Sequence, residues 1–158
     1  MAKNFKELLS KVGEIETKTL AVAVAQDKAV LEAVKMAKER GIANAILVGD
    51  ADQINAIGAE LGMDMSEYRV VDEKDVVEAS LKAVKFVHDG EADMYMKGLL
   101  PTGTFLKSVL NKEVGLRTGK PLSHVCVFEI PGISNLYCVI NHTLLVLKCR
   151  IWNKCNVC

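Results

Sequence analysis

The chain has 158 residues, half of them apolar and a quarter charged, and its 20 Lys and Arg balance 20 Asp and Glu for a formal net charge of zero. That is enough for about one domain with a core that needs no disulfides, and the charge balance argues against general nucleic-acid binding or attraction to a membrane surface. The charged, amphipathic N-terminus lacks the apolar run of a signal peptide, and no later stretch is long and apolar enough to span a bilayer, so the expected location is the cytoplasm.

In chain order, "NFKELLSKV" (4–12) places Phe5, Leu8, Leu9 and Val12 at helical spacing. "TLAVAVA" (19–25) is a continuous apolar run with no polar alternation, the pattern of a strand covered on both faces. Then comes "DKAVLEAVKMAKERG", with Asp27 at the N-cap position and Gly41 as the helix stop. "NAILVGD" (44–50) predicts a second buried strand, "ADQINAIGAELG" a helix ending at Gly62, and "YRVVD" (68–72) a third strand. "EKDVVEASLKAVKFVHDG" is a helix ending at Gly90, "ADMYM" (92–96) a fourth strand, "TGTFLKSVLNKE" a helix and "LSHVCVFEI" (122–130) a fifth strand. Strands and helices alternating through short connections make βαβ units. The expected fold is α/β: a three-layer sandwich with a mostly parallel sheet and helices on both faces.

The end of the chain reads differently. All 20 acidic residues lie at or before Glu129, and the 29 residues from Ile130 to Cys158 hold none. Cys138, Cys149, Cys155 and Cys158, four of the five cysteines, fall in the last 21 residues, together with the single Trp152. "CNVC" has no second pair or histidine at zinc spacing, so no metal site is expected. The segment shows no period of 3.6 or 2. The expected division is an α/β domain over 1–132 and an atypical tail over 133–158, the mark of a shifted reading frame or a truncation scar.

Ligands of open parallel sheets bind beyond the carboxyl ends of the strands, where the strand order switches. Of the four strand-to-helix turns, "AQDK", "VGDAD" and "VDEKD" are short and mainly cap helices, whereas "MKGLLPTGT" is the longest and the richest in donors. A helix beginning near Thr102 offers free N–H groups and a positive dipole end, a ready anion site. Thr102 and Thr104 add hydroxyls, Lys97 and Lys107 add charge, and Gly98 and Gly103 lower the bulk where a ligand would approach. The plain alternative is that Thr102 merely caps the helix and the lysines are solvated. No Walker A or GxGxxG pattern occurs.

"GLRTGKPLSH" (115–124) adds Arg117, which can grip a phosphate bidentately, with Thr118, Lys120, Ser123 and His124. Adjacent residues of a strand face opposite ways, so Ser123 and His124 do not make a nucleophile–base pair. His88 is expected to favour a helix dipole, and Cys126 to be a small core residue. His142 lies in the atypical tail.

"LAVAVAQDKAVLEAV", "GIANAILVGD", "ADMYMKGL", "SVLNKEVGLRTGK" and "LSHVCVFEIPG" together resemble the phosphate acetyltransferase/butyryltransferase family over residues 1 to about 132. The resemblance implies reversible transfer of a short acyl group between coenzyme A and phosphate. Acyl-coenzyme A and phosphate or acyl phosphate are then the partners, with coenzyme A a substrate and no tightly bound cofactor. It also implies two α/β domains of the isocitrate/isopropylmalate dehydrogenase type, with the site in the cleft between them, and self-association. Thr102 and Lys107 fall where the acetyl-type members carry a serine and an arginine near the substrate. Lysine keeps the charge but loses the bidentate geometry. "LRTG" and "SH" match the butyryl-type pattern, which brings in Ser123. The base and most coenzyme A contacts are implied in a second domain, so a chain ending its likeness near Gly132 is expected to be weakly active or inactive. The alternatives are a stand-alone small-molecule or partner-binding α/β module without catalysis and, less favoured for want of a nicotinamide or metal motif, a two-domain dehydrogenase.

Overall fold

The computed structural model describes residues 4–12, 16–120, 122–130, 133, 136–142 and 150–152. Two compact units divide the chain: 16–117, and 1–15 with 118–158.

The larger unit contains β1 (Lys18–Ala23), α2 (Lys28–Glu39), β2 (Ala43–Gly49), α3 (Ala51–Glu60), a short 3-10 turn at Met65–Glu67, β3 (Arg69–Asp72), α4 (Val76–His88), β4 (Met94–Lys97) and α5 (Thr102–Val109). The four strands form a parallel sheet in the order β3-β2-β1-β4. Side-chain alternation along the two central strands splits the core in two. Ala21, Ala23, Ile46 and Val48 pack with Ala79 and Ala83 of α4, Leu100 and Phe105. Val22, Ala45 and Leu47 pack on the other face with Leu31 and Val34 of α2, Ile54 of α3, Met63 and Tyr68. Helices therefore cover both faces, which is why the central strands read as unbroken apolar runs.

The predicted cap at Asp27 is present, and Asp50 and Asp75 cap α3 and α4 in the same way. Asp27 Oδ1 accepts from Val30 N at 3.0 Å, Asp50 Oδ1 from Gln53 N at 3.2 Å, and Asp75 Oδ1 from Val77 N and Glu78 N, both at 2.9 Å. Gly41, with φ 66, closes α2 in the left-handed conformation that a helix stop requires. The strand predicted at 92–96 pairs instead over Met94–Lys97. Just before it, Asp93 bonds to β1 twice, its N–H donating to Thr19 O and its Oδ2 accepting from Thr19 N, both at 2.8 Å. The helix predicted over 102–113 stops at Val109, because Asn111 Oδ1 accepts from Glu113 N and Val114 N and turns the backbone away.

In the smaller unit, α1 (Phe5–Val12) receives a cap from a distance: Phe5 N donates to Glu129 Oε2 at 2.9 Å. Here the fifth strand differs from expectation. β5 (Ser123–Phe128) joins not the parallel sheet but a three-stranded antiparallel one, β5-β6-β7, with β6 (Tyr137–His142) and β7 (Arg150–Trp152). The segment without a readable period thus supplies two strands. Cys126, expected in a core, is half-buried; nearby Val125 and Phe128 are exposed. Cys149, Cys155 and Cys158 lie outside the described residues. Among the described residues no helix is long and apolar enough to cross a membrane.

Candidate functional site

The strand order locates the crevice. The chain runs outward from β1 through β2 to β3 and then returns over the sheet to place β4 on the free side of β1. The last paired residues of these neighbours are Ala23 and Lys97. Beyond them, β1 leads to α2 on one face and β4 to α5 on the other. This is the switch point at which open α/β sheets bind ligands. The turn rich in cations and hydroxyls therefore follows β4 at the switch point of the described parallel sheet, with "AQDK" across from it.

These two turns form lips that are held very close. Gly98 N donates to Ala23 O at 2.9 Å and Leu99 N to Val24 O at 2.8 Å. A Cβ on Gly98 would stand 2.2 Å from Val24 O and 2.5 Å from Ala23 O, so only glycine fits. Val24 itself adopts φ 55, a conformation costly for a β-branched residue, while its side chain stays 2% exposed. Gln26 bridges to the next turn, its Oε1 accepting from Asp50 N at 3.3 Å.

Helix α5 begins at Thr102 after Pro101, which makes no side-chain cap. Thr102 is thus the first helical residue and not the cap. The first helical bond is Phe105 N to Pro101 O at 3.1 Å, so the N–H groups of Thr102, Gly103 and Thr104 have no acceptor within the helix. Helices α2, α3 and α4 each spend a capping aspartate on these groups; the carboxyl of Asp50 is held below its usual value mainly by the Gln53 N–H. α5 presents no carboxylate there. Thr104 and Lys107, three apart, share a helix face. Lys97 is exposed at the end of β4. Among the described residues neither lysine has a carboxylate partner.

Lys97, Thr102, Thr104 and Lys107 are therefore gathered around one turn. Arg117 is not among them. It follows Leu116, whose N–H donates to Val109 O at the far end of α5, about 12 Å along an eight-residue helix. Ser123 opens β5 in the other unit. His88 ends α4 as expected, and its Nδ1 donates to Gly115 O at 3.1 Å, tying down the loop that carries Arg117.

Two features were missed from sequence. One is the strained Val24. The other lies beneath α5, where Ser80 (α4), Tyr95 (β4) and Ser108 (α5) bring their hydroxyls together with Oγ–Oη and Oγ–Oγ distances of 2.8 to 2.9 Å. Burial pushes the Tyr95 phenol above its usual value, against the opposing pull of the Ser108 and Ser80 hydroxyls. The available signal was a serine on the apolar stripe of each helix, Ser80 beside Ala79 and Ala83, and Ser108 beside Phe105 and Val109.

Residues 4–79 match a family described as phosphate acetyl/butaryl transferase. The chain is 59% identical over 136 residues to a phosphate butyryltransferase of Clostridium beijerinckii, a match that covers 86% of this chain and 45% of that protein. A phosphate butyryltransferase of Clostridium acetobutylicum is 60% identical over the same length. The chain is thus similar to the phosphate acetyltransferase/butyryltransferase family. It spans somewhat under half the length of the curated relatives it matches. Among solved structures, a phosphotransacetylase of Streptococcus pyogenes superposes with a TM-score of 0.68 at 15% identity, over 85% of this chain and 50% of that one. A branched-chain phosphotransacylase of Enterococcus faecalis V583 gives 0.59 at 24% identity, over 79% and 42%. At these identities the structural likeness speaks for the fold alone.

Proposed function

We propose that the protein to which this chain belongs transfers a short acyl group, butyryl or similar, between coenzyme A and phosphate, and that the turn 97–107 is its phosphate-side wall. The observation that carries the proposal is the uncapped start of α5 at the β1/β4 switch point, on a chain similar to the phosphate acyltransferase family. Phosphate or acyl phosphate brings the negative charge that the N–H groups of 102–104 lack, and Lys107 and Lys97 supply countercharge. The same donors can steady the oxyanion that forms when phosphate oxygen attacks the thioester carbonyl. Coenzyme A leaves as a thiolate and serves as a substrate, not a resident cofactor. A second α/β domain closing the cleft, as in the isocitrate/isopropylmalate dehydrogenase arrangement, would supply the base. Arg117 and Ser123 belong to this proposal as substrate contacts only if closure brings them to the turn. Self-association and a cytoplasmic location accompany this reading.

The test has two arms. Isothermal titration of the chain with inorganic phosphate should show binding that weakens about tenfold in Lys107→Ala, the scale of a lost charge-assisted contact. Unchanged affinity in Lys107→Ala and Arg117→Ala alike would overturn the site. In the second arm, the chain fused to the second half of the Clostridium beijerinckii relative is given butyryl-coenzyme A, and phosphate-dependent thiol release is followed. A fusion that folds but releases no thiol would overturn the reaction.

A further inference from the structure

The start of α5 has no side-chain cap to hold it in place, yet its position decides where three N–H groups and Lys107 point. Apolar packing alone tolerates small slips of a helix. Hydrogen bonds do not, since they weaken steeply with distance and angle. Under α5 lies a closed hydroxyl cluster that touches the three elements around the turn. Ser108 Oγ, 2% exposed, donates to Phe105 O at 2.7 Å. Ser80 Oγ, fully buried, donates to Ser108 Oγ at 2.8 Å. Tyr95 Oη lies 2.9 Å from both serine oxygens and 3.1 Å from Ser80 O. The Tyr95 ring stacks on Phe105, with centroids 4.6 Å apart and planes 15° apart. Each hydroxyl proton has an acceptor, so the cluster is complete as it stands and has no vacant group to offer a ligand.

We infer that Tyr95, Ser80 and Ser108 are positioning residues that lock α5 to β4 and α4, and thereby set the reach of the Thr102–Thr104 amides and Lys107 to phosphate. The inference rests on the phosphate-wall reading above. Tyr95 stands two residues before Lys97 on β4, and Ser108 directly follows Lys107 on α5, so the lock holds both flanks of the turn. It acts through geometry: none of the three hydroxyls touches the anion.

The experiment uses the full chain and inorganic phosphate. Tyr95→Phe and Ser108→Ala each remove one hydroxyl and should weaken phosphate association about tenfold, the scale of a misplaced contact set. The control is Ile54→Val, which thins the core on the opposite face. It lowers the melting temperature by a comparable amount and should leave phosphate affinity unchanged; a loss equal to that of Tyr95→Phe would show a merely structural role and overturn the lock. Amide shifts of Thr102, Gly103 and Thr104, read without phosphate, separate the two ideas. If the parent chain binds no phosphate, the wall reading fails. If those three peaks do not move in Tyr95→Phe, the lock fails whatever phosphate does. Moved peaks with weakened binding support both.

Discussion

Gly98→Ala should damage this fold more than any ordinary exposed-loop change. The added methyl would lie 2.2 Å from Val24 O, 2.5 Å from Ala23 O and 2.9 Å from Val24 C, all backbone atoms that cannot rotate away. The lips must part by close to an ångström. Overpacking of this kind costs about 1–3 kcal/mol, and the bonds from Gly98 N and Leu99 N, worth roughly 1 kcal/mol each, are stretched with it. The stiffer unfolded chain returns about 0.4–1 kcal/mol. A net loss near 3 kcal/mol corresponds to a fall of roughly 6–12 °C in melting temperature for a chain of this size. Gly103→Ala is the matched control: nothing lies within 4 Å of its added Cβ, and it sits in the first turn of α5. It should raise the melting temperature by about 2–4 °C through helix propensity. Thermal unfolding followed by circular dichroism decides. Gly98→Ala within a degree of the parent, or Gly103→Ala falling as far as Gly98→Ala, would refute the close approach of the two lips.

At Val24 the usual order of alanine over glycine should reverse, with Val24→Gly about 1 kcal/mol more stable than Val24→Ala in urea unfolding, because φ 55 penalises any Cβ. Acid should unfold the larger unit. The carboxyls of Asp93, held down mainly by the Thr19 N–H, and Glu73, held down mainly by the Lys82 ammonium, both lie below their usual 3.8 and 4.5. Groups depressed in the folded state stabilise it fully above those values and lose that contribution as pH falls through the folded ones. Asp93→Asn should therefore flatten the fall in melting temperature below about pH 4, as scanning calorimetry across that range would show. Pro101→Asp should leave stability within about 1 kcal/mol of the parent, since a new cap offsets the lost stiffness of proline, while phosphate affinity measured by titration falls about tenfold.

Local signals carried most of the fold. Aspartates at 27, 50 and 75 mark helix starts because their side chains close bonds within three residues, and Gly41 marks a stop for an equally local reason. The crevice was legible only in part. Its donors are written in one turn, but that this turn faces β1 depends on β4 pairing with residues more than 70 positions earlier, and no local pattern encodes that choice. β5 failed for the same reason: an apolar run states that a strand forms, not which edge it joins. Val24 looks like any core valine in the sequence, since nothing in its residue type signals φ 55. Thr102 was read as a possible cap because threonine caps helices often, whereas the preceding proline, with its extended ψ of 140, already starts the helix one position earlier.

The contrast among helix starts gives a reason for stability and the proposed phosphate binding to pull apart at this turn. At α2, α3 and α4 an aspartate satisfies the amides and the dipole from within, so those ends are closed to any further anion. The same solution at α5 would place a carboxylate where the proposed phosphate would sit, and like charges at that distance repel. Proline shapes the start of the helix without supplying charge or acceptor, which leaves the site open. The cost is a helix end whose position nothing exposed defends. That is where the buried cluster of Ser80, Tyr95 and Ser108 enters, since it anchors α5 from the side away from the ligand. On the proposed reading the wall can then be firm and uncapped at once, and the two requirements would fall on different residues: the anion on Thr102, Thr104 and Lys107, the anchorage on the hydroxyls below. Substitutions in the first group should move affinity with little change in melting temperature, and substitutions in the second should move both.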